Sequence, residues 1–492
     1  MLFNSLEFLL FLPIVFALYW ATNAWRRDAK GLKLQNALLL LSSYIFYGWW
    51  DWRFLSLIAF STLVDWAVGL RIHEANQNAN PDNPDHRSDR AKKWLVVSLF
   101  VNLGLLGYFK YANFFIESWV DAWGSLGVEM HASTLQLILP VGISFYTFQT
   151  LSYSIDIYRR QLKPTHSLLN FAAFVSFFPQ LVAGPIERAS ALLPQMEKKR
   201  TFHHDFAVSG LRLILWGMFK KVVVADTCAI FVNDIFDNYQ DHSGPTLVLG
   251  AICFAFQIYG DFSGYSDIAI GTARLFGIRL MTNFKTPYFS RDIAEFWRRW
   301  HISLSTWFRD YLYIPLGGSR VGKWKAVRNT FVIFLVSGFW HGANWTFVVW
   351  GFVHAVLFLP LLLKGTNRKH TGDAFKDRWL PSLRDLWGMA WTFASVTVAW
   401  VFFRAQDLVG AVDYLKKGCV GWPEFTMVHR MALFWISAML VFEWLIGIKA
   451  FKSWLFGRPG TSTAVRWAGY AMGCWMVVKH FQSQAEFIYF QF

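Results

Sequence analysis

The sequence predicts an all-α, polytopic integral membrane protein with about 10–12 membrane helices, together with re-entrant and amphipathic elements. Three observations predict this class. Hydrophobic residue types make up 55% of the 492 residues, charged types supply only 16%, and the chain holds 49 Phe and 27 Trp. Because soluble domains carry about a quarter charged residues, this composition excludes a soluble monomer, a disordered scaffold and a secreted disulfide-stabilised module.

Apolar runs alternate with basic loops, and the alternation predicts the topology. The first run, 9–20, has no Lys or Arg before it and basic residues after it. This indicates a retained helix with its N-terminus outside, rather than a cleaved signal peptide. The hairpins formed by runs 35–50 and 53–71, and by runs 94–112 and 134–155, each return the chain to a basic loop.

The remaining runs continue the alternation and predict that both termini lie outside. Pro179 and Gly184 interrupt the stretch 167–184, and both of its flanks are basic. We therefore expect a re-entrant element there rather than a span. The later predicted elements are the runs 207–225 and 245–280, the basic amphipathic region 285–328, and the runs 345–364, 382–403, 431–448 and 466–482.

The net charge of +15 comes mainly from basic residues in short loops between apolar runs. Such residues determine topology, so the charge does not indicate nucleic-acid binding. Four cysteines, Cys228, Cys253, Cys419 and Cys474, lie far apart without a CxxC pair. The sequence therefore predicts neither a metal site nor a disulfide framework.

The segment 291–318 concentrates charges and Trp in a chain otherwise poor in charge; it reads RDIAEFWRRWHISLSTWFRDYLYIPLGG. In a helix, Glu295 would have Arg298 and Arg299 at i+3 and i+4, a spacing that allows ion pairing. The chain would end this helix at Pro315 and the glycines that follow.

The same predicted helix carries one polar stripe, because His301, Ser305 and Arg309 stand at i, i+4 and i+8. Two interpretations remain open from the pattern. The helix could lie at the membrane interface with His301 merely amphipathic, or His301 could face a cavity beside the membrane.

His341 is the second candidate, since it lies thirteen residues after Arg328 in an apolar run. If the run is helical, this distance is roughly 20 Å. An ionisable side chain at that depth normally faces a cavity and is a functional candidate, although a buried His bonded to a carbonyl is the alternative. Gly338 and Gly342 would allow a backbone or substrate to approach His341. The same argument applies more weakly to His354, which lies in the next apolar run.

Together, the segments 291–318 and 339–345 (FWHGANW) resemble the membrane-bound O-acyltransferase family. The resemblance is strongest to the bacterial branch that acetylates exopolysaccharides such as alginate. It extends over nearly the whole chain, and the YIPLGG ending favours this branch over the branch that D-alanylates teichoic acid. Further matching stretches are 139–159, 178–188, 261–271 and the C-terminal FIYFQF.

The resemblance implies a helical fold around a central tunnel or funnel, in one domain that spans 1–492. N-terminal helices would occupy 1–165, a catalytic core with both histidines 166–364, and C-terminal helices 365–492. His341 would be catalytic and His301 a second active-site residue. The implied location is a bacterial inner membrane, surrounded by membrane lipid, with both termini periplasmic.

The implied reaction is acetyl transfer from acetyl-CoA to a hydroxyl of an exopolysaccharide, with no bound cofactor or metal. A hydroxyl needs a base, so we expect His341 to take its proton. His301, Ser305 or Arg309 would orient or polarise the donor, and Asn344 would add an amide contact. Basic residues expected to meet the polyanionic CoA at the inner mouth are Arg298, Arg299, Arg320, Lys323 and Lys325.

Topology and resemblance together predict that acetyl passes through the protein core to the outside, where a periplasmic accessory acetyltransferase or other polysaccharide-modification proteins take it onward. Other acceptors remain possible interpretations: cellulose, teichoic acid or a lipid. A proton-coupled transporter or a scaffold for polysaccharide synthesis is the alternative of a different class. A transporter would be expected to show a pseudo-repeat between its halves, and the sequence shows none.

Overall fold

The computed structural model describes residues 1–25, 29–79, 87–130, 134–135, 137–372, 379–418, 420–422, 427–448, 451, 455, 461–481 and 487–488. Every regular element within these ranges is helical, and no strand occurs in them. The all-α class predicted from the sequence is therefore confirmed.

The helices begin and end as follows: α1 Leu6–Trp25, α2 Ala29–Asp51, α3 Leu55–Ala79, α4 Asp89–Leu106, α5 Ala112–Ser125, α6 Ile143–Tyr158, α7 Leu168–Val175, α8 Phe178–Leu181, α9 Ala189–Met196, α10 His204–Met218, α11 Asp226–Asp237, α12 Gly244–Leu275, α13 Ile293–Arg299, α14 Ile302–Phe308, α15 Lys323–His341, α16 Trp345–Leu363, α17 Leu383–Arg404, α18 Leu408–Lys417, α19 Met427–Gly447 and α20 Thr461–His480. Single turns of 3₁₀ helix cover Trp52–Phe54 and Pro287–Phe289, and π-helical turns cover Gly107–Tyr111, Phe219–Ala225 and Arg309–Tyr313.

Six helical stretches in the described part of the chain are long and apolar enough to cross a membrane. The chain is therefore a multi-pass membrane protein, while the predicted count of about 10–12 elements stays a prediction. The six stretches are Lys30–Ala79, Asp89–Ser125, Gly244–Leu275, Trp345–Leu363, Leu383–Arg404 and His429–Gly447.

The chain forms two compact units. Unit 1 comprises Met1–Arg212 with Ala269–Met281, and unit 2 comprises Leu213–Ile268 with Thr282–Phe492. Both candidate histidines belong to unit 2. The predicted three-part division of a single domain stays a prediction.

A buried carboxylate joins three helices of unit 1. Asp65 on α3 accepts hydrogen bonds from the Ser98 hydroxyl (2.5 Å) and the Asn102 amide (2.8 Å) on α4, and from the Ser154 hydroxyl on α6 (3.1 Å). All four residues are buried. A buried polar group is costly unless it is bonded, so these bonds specify how α3, α4 and α6 pack.

The stretch 167–184, also in unit 1, is broken as its proline and glycine predict. It forms two short buried helices, α7 with eight residues and α8 with four. Neither approaches the roughly 20 residues that a spanning helix needs. The break is confirmed, and the re-entrant position relative to a bilayer stays a prediction.

A buried ion cluster joins three elements of unit 2. Lys221, in the π-helical turn, places its Nζ 2.8 Å from Oδ1 of Asp226 and 2.8 Å from Oδ1 of Asp261 on α12. The other oxygen of Asp261 accepts the backbone N–H of Ile488 at 2.7 Å. The single cation of Lys221 offsets part of the charge of two carboxylates whose burial would otherwise be costly.

The segment 291–313 is not the single helix that the sequence predicts. α13 ends at Arg299, and α14 begins at Ile302. Between them His301 adopts a left-handed backbone conformation, with φ 43° and ψ 54°. The break has a cause in the preceding loop, because Lys285 N–H bonds the Arg299 carbonyl (3.0 Å) and Ile302 N–H bonds the Asn283 carbonyl (2.9 Å). These bonds replace helical ones, so the predicted stripe of His301, Ser305 and Arg309 does not form on one helix.

We predict that Lys221→Met lowers the free energy of unfolding by about 3–5 kcal/mol, because it leaves two carboxylates buried without their cation. Unfolding by SDS in mixed micelles, followed by circular dichroism, measures the change. The matched control is Lys416→Met, which removes a side chain that is 73% exposed and 3.5 Å from Asp413; it should cost less than about 1 kcal/mol. Equal losses in the two variants would contradict a stabilising role for the cluster.

Candidate active site

Two histidines of unit 2 meet at the ends of two helices. His301 precedes the first turn of α14, and His341 is the last residue of α15. Their ring centroids lie 6.3 Å apart. His301 is fully buried and His341 is 4% exposed. The structure thus brings together the two residues that the sequence singled out, and the run that leads to His341 is helical.

Aromatic rings enclose the histidine pair. The edge of Phe262 meets the His301 ring at 4.7 Å between centroids. His341 has Trp350 at 5.2 Å and Phe403 at 5.3 Å. Trp340 contacts both imidazoles. Such a low-dielectric surrounding strengthens every hydrogen bond and charge interaction made inside it.

Nδ1 of His301 lies 3.1 Å from Oδ1 of Asn283 and 3.4 Å from the Ser303 hydroxyl. Its other ring nitrogen, Nε2, has no hydrogen-bond partner among the described residues. Burial lowers the pKa of His301, so the imidazole is neutral and one of its nitrogens carries a lone pair. A neutral imidazole of this kind can accept a proton.

Two glycines bring α16 against the end of α15 that carries His341. A Cβ at Gly338 would overlap the carbonyl oxygen of Phe347, and one at Gly342 would overlap the Phe347 ring. Glycine is therefore required at both positions for this approach. The sequence left open whether a backbone or a substrate approaches these glycines. In the structure the group that approaches them is α16, through Phe347 in its first turn.

Arg298 and Arg299, which precede His301, are both bonded to other groups of the protein. Arg299 pairs with Glu295 at 2.8 Å, and Arg291 also pairs with Glu295 at 2.9 Å. Burial alone would raise the pKa of Glu295, but the hydrogen bonds and charges of the arginines outweigh it and lower that pKa. Arg298 does not pair with Glu295, and donates instead to the carbonyls of Asn367 and His370 at 2.8 Å each.

The other predicted binding residues also bond away from the two imidazoles. The Ser305 hydroxyl donates to the Trp300 carbonyl at 3.4 Å. Arg309 pairs with Asp310 at 2.7 Å, and its side chain is 55% exposed. Asn344 caps α16 by accepting Thr346 N–H at 2.9 Å and donates to the Gln406 carbonyl at 3.0 Å. Arg320, Lys323 and Lys325 are exposed.

His354 is a buried histidine of a different kind. Its ring makes edge-to-face contacts with aromatic side chains, with Trp350 at 4.8 Å and Trp297 at 4.9 Å between centroids. Neither of its nitrogens has a hydrogen-bond partner among the described residues. No group of three or more His, Cys, Asp or Glu that could hold a metal ion occurs in the described ranges.

Sequence reasoning missed Asn283, the residue that bonds His301. It lies eighteen residues earlier in the chain, in an irregular segment between α12 and α13. No periodicity relates such a loop position to a helix terminus, and a single asparagine in a loop carries no distinguishing signal, because asparagine is common in turns. Only the fold reveals this contact.

Comparison with known proteins identifies similar chains. A sequence profile of the membrane-bound O-acyltransferase family matches residues 39–399. A probable alginate O-acetylase of Pseudomonas putida is 43% identical over 409 residues, which cover 83% of this chain and 78% of the relative. A peptidoglycan O-acetyltransferase of Helicobacter pylori is 37% identical over 459 residues, covering 87% and 81% of the two chains. A teichoic acid D-alanyltransferase of Bacillus subtilis is 30% identical over 270 residues, covering 52% and 66%.

We predict that Gly338→Ala destabilises the protein by about 1–3 kcal/mol, because the added methyl group forces α15 and α16 apart. The control is Gly469→Ala on α20, where a Cβ would meet nothing within 4 Å; alanine there should be neutral or stabilise the helix by up to about 1 kcal/mol. Unfolding midpoints of the two variants, compared with the parent chain, measure the difference. An unchanged midpoint for Gly338→Ala would show that the helix pair can relax without cost.

Proposed function

The chain belongs to the membrane-bound O-acyltransferase family, and from this premise we propose that it moves acetyl groups from cytoplasmic acetyl-CoA across a bacterial inner membrane for O-acetylation of an exopolysaccharide such as alginate. That the chain is a multi-pass O-acyltransferase follows from the family and its relatives. The donor, the acceptor and the direction of transfer belong to the proposal. The observation that carries it is the buried pair of imidazoles, His301 and His341.

In the proposed reaction, His341 is the general base. A hydroxyl oxygen of the acceptor attacks the thioester carbonyl carbon, and His341 takes the hydroxyl proton. The carbonyl re-forms as the C–S bond breaks, and the departing thiolate takes the proton from His341 and leaves as CoA thiol. The position of His341 beside His301, with ring centroids 6.3 Å apart, supports this role, because histidine is the side chain whose ordinary pKa suits a general base near neutral pH. His301 is proposed as the second active-site residue.

Binding of the donor is proposed to use positive charge at the cytoplasmic side. CoA carries several phosphate charges, and the exposed side chains of Arg309, Arg320, Lys323 and Lys325 are available to meet them. Ser305, Asn344, Arg298 and Arg299 remain proposed substrate-binding residues. Each would have to exchange a hydrogen bond that it makes within the protein for one to the substrate.

The direction of transfer rests on the predicted topology. Basic loops indicate that the region before α15 faces the cytoplasm, and His341 lies at the far end of that helix. A cytoplasmic donor and an external acceptor would then meet within the protein, so that acetyl crosses the bilayer without CoA. We propose that both termini are periplasmic, and that an accessory acetyltransferase or other polysaccharide-modification protein in the periplasm passes acetyl to the polymer.

A second acceptor is favoured by a specific observation. The similarity to the peptidoglycan O-acetyltransferase covers slightly more of this chain than the similarity to the alginate O-acetylase, although its identity is lower. Peptidoglycan is therefore the alternative glycan. Cellulose, teichoic acid and lipid acceptors would use the same chemistry, whereas a transporter or scaffold would need neither imidazole as a base.

We predict that His341→Ala and His301→Ala each lower the acetyl content of the acceptor polymer at least about 100-fold, since a general base contributes about 10²–10⁴-fold. Acetyl groups released by mild alkali from secreted polysaccharide and from peptidoglycan, in cells with matched membrane levels of each variant, measure the loss and identify the polymer. Polymer yield should not change. The control is His204→Ala, whose side chain is 80% exposed.

Full acetylation in the His341 variant would remove the proposed base. Loss of polymer export in the histidine variants, without loss of acetyl from the polymer that remains, would favour the transporter or scaffold.

A further inference from the structure

Asn283 lies in the irregular segment before α13, and nothing in the proposed reaction yet uses it. We infer that Asn283 is a positioning residue that holds His301 in the one neutral tautomer whose Nε2 carries the lone pair. The inference deepens the proposed function and rests on it for the reaction, whereas the tautomer itself follows from the hydrogen bonds around the asparagine.

The orientation of the Asn283 amide is determined by a backbone group. The Ser303 N–H points at Oδ1 of Asn283 at 3.2 Å, and the Ser303 hydroxyl donates to the same atom at 2.9 Å. On its other side, Nδ2 of Asn283 donates to the Ser266 hydroxyl at 3.1 Å. A backbone N–H can only donate, so the amide atom that faces it must be the oxygen.

The tautomer of His301 follows from this orientation. Oδ1 of Asn283 is an acceptor only, and it lies 3.1 Å from Nδ1 of His301. The Ser303 hydroxyl also lies 3.4 Å from Nδ1, but its single hydrogen is directed to the closer Oδ1 of Asn283 at 2.9 Å. Nδ1 must therefore carry the hydrogen. A neutral imidazole has one N–H, so Nε2 of His301 carries the lone pair.

The backbone holds the two residues in this arrangement. Ile302 N–H donates to the Asn283 carbonyl at 2.9 Å, and Lys285 N–H donates to the Arg299 carbonyl at 3.0 Å. His301 itself has φ 43°, a conformation rare for residues other than glycine and found where surrounding structure enforces it. Asn283, His301 and Ser303 are all buried, so water does not compete for these bonds.

This tautomer restricts what His301 can do. The lone pair on Nε2 cannot donate a hydrogen bond to the thioester carbonyl, so neutral His301 does not polarise the donor through that atom. Nε2 can instead accept a hydrogen bond from a substrate hydroxyl, while His341 takes the proton of the attacking hydroxyl in the proposed reaction. The Nδ1–H bond to Asn283 holds the ring, and with it the Nε2 lone pair, in this orientation.

The first test measures the tautomer without any activity. The protein, labelled with ring-¹⁵N histidine and reconstituted in lipid, is compared by solid-state NMR with the His301→Gln variant, whose missing signals belong to His301. We expect a protonated Nδ1 and an unprotonated Nε2. A protonated Nε2 with an unprotonated Nδ1 would overturn the inference, whether or not the proposed function holds.

The second test is a chemical rescue in cells. Asn283→Ala should lower the acetyl content of the polymer by about 10–100-fold, as loss of an orienting partner does in comparable sites. Nδ-methylhistidine at position 301 of that variant permanently has its lone pair on Nε2, and its methyl group occupies space vacated by the amide. It should restore most of the acetylation, whereas Nε-methylhistidine at the same position should restore none.

Matched variants separate the possible outcomes. Ser303→Ala removes one donor to Asn283 but leaves the backbone N–H that orients the amide, so it should retain most acetylation. If Asn283→Ala fails to accumulate in the membrane, Asn283→Ser leaves similar room for the methyl group. Wild-type acetylation in the Asn283 variant, or no rescue at matched membrane levels, would contradict the inference. Absence of acetyl transfer in the parent chain would instead contradict the proposed function.

Discussion

The hydrogen bond between Asn283 and His301 is the interaction on which the candidate site depends. The N–H of an imidazole buried among aromatic rings costs free energy unless it has a partner, and for His301 one amide oxygen supplies that partner. To bring that oxygen to the ring, the loop before α13 takes over two backbone bonds that a continuous helix would have made. The left-handed turn at His301 and the split between α13 and α14 are consequences of the same contact.

The second imidazole is positioned by packing rather than by a loop. His341 ends a helix of nineteen residues, and the glycines around it bring the next helix into direct contact. The two histidines are therefore held in different ways, His301 by hydrogen bonds and His341 by close helix packing. Because α15 and α16 are rigid elements in contact, they hold His341 more precisely than a free loop would. Elsewhere in unit 2, the ion cluster around Lys221 ties α11, α12 and the segment at Ile488 together.

The class of fold could be predicted from the sequence, and the sequence also singled out the two histidines that the fold brings together, because both leave a strong local signal. Long apolar runs indicate membrane helices, and an ionisable residue deep within one stands out. It did not predict the break at His301, because periodicity describes the residues of one segment and not the loop that competes for its backbone bonds. For that reason the expected polar stripe of His301, Ser305 and Arg309 does not form on one helix. Arg309 pairs instead with its neighbour Asp310. Asn283 could not be found at all, since its role arises only from tertiary contact.

We propose that this histidine pair cleaves a CoA thioester and transfers its acyl group. Release of free CoA thiol from acetyl-CoA by the purified protein in proteoliposomes, supplied with alginate oligosaccharide and periplasmic proteins of the same cells, tests this proposal. We expect thiol release that depends on this acceptor mixture, matches the acetyl ester formed, and is abolished by His341→Ala. Thiol release that persists unchanged in the His341 and His301 variants would contradict the proposal.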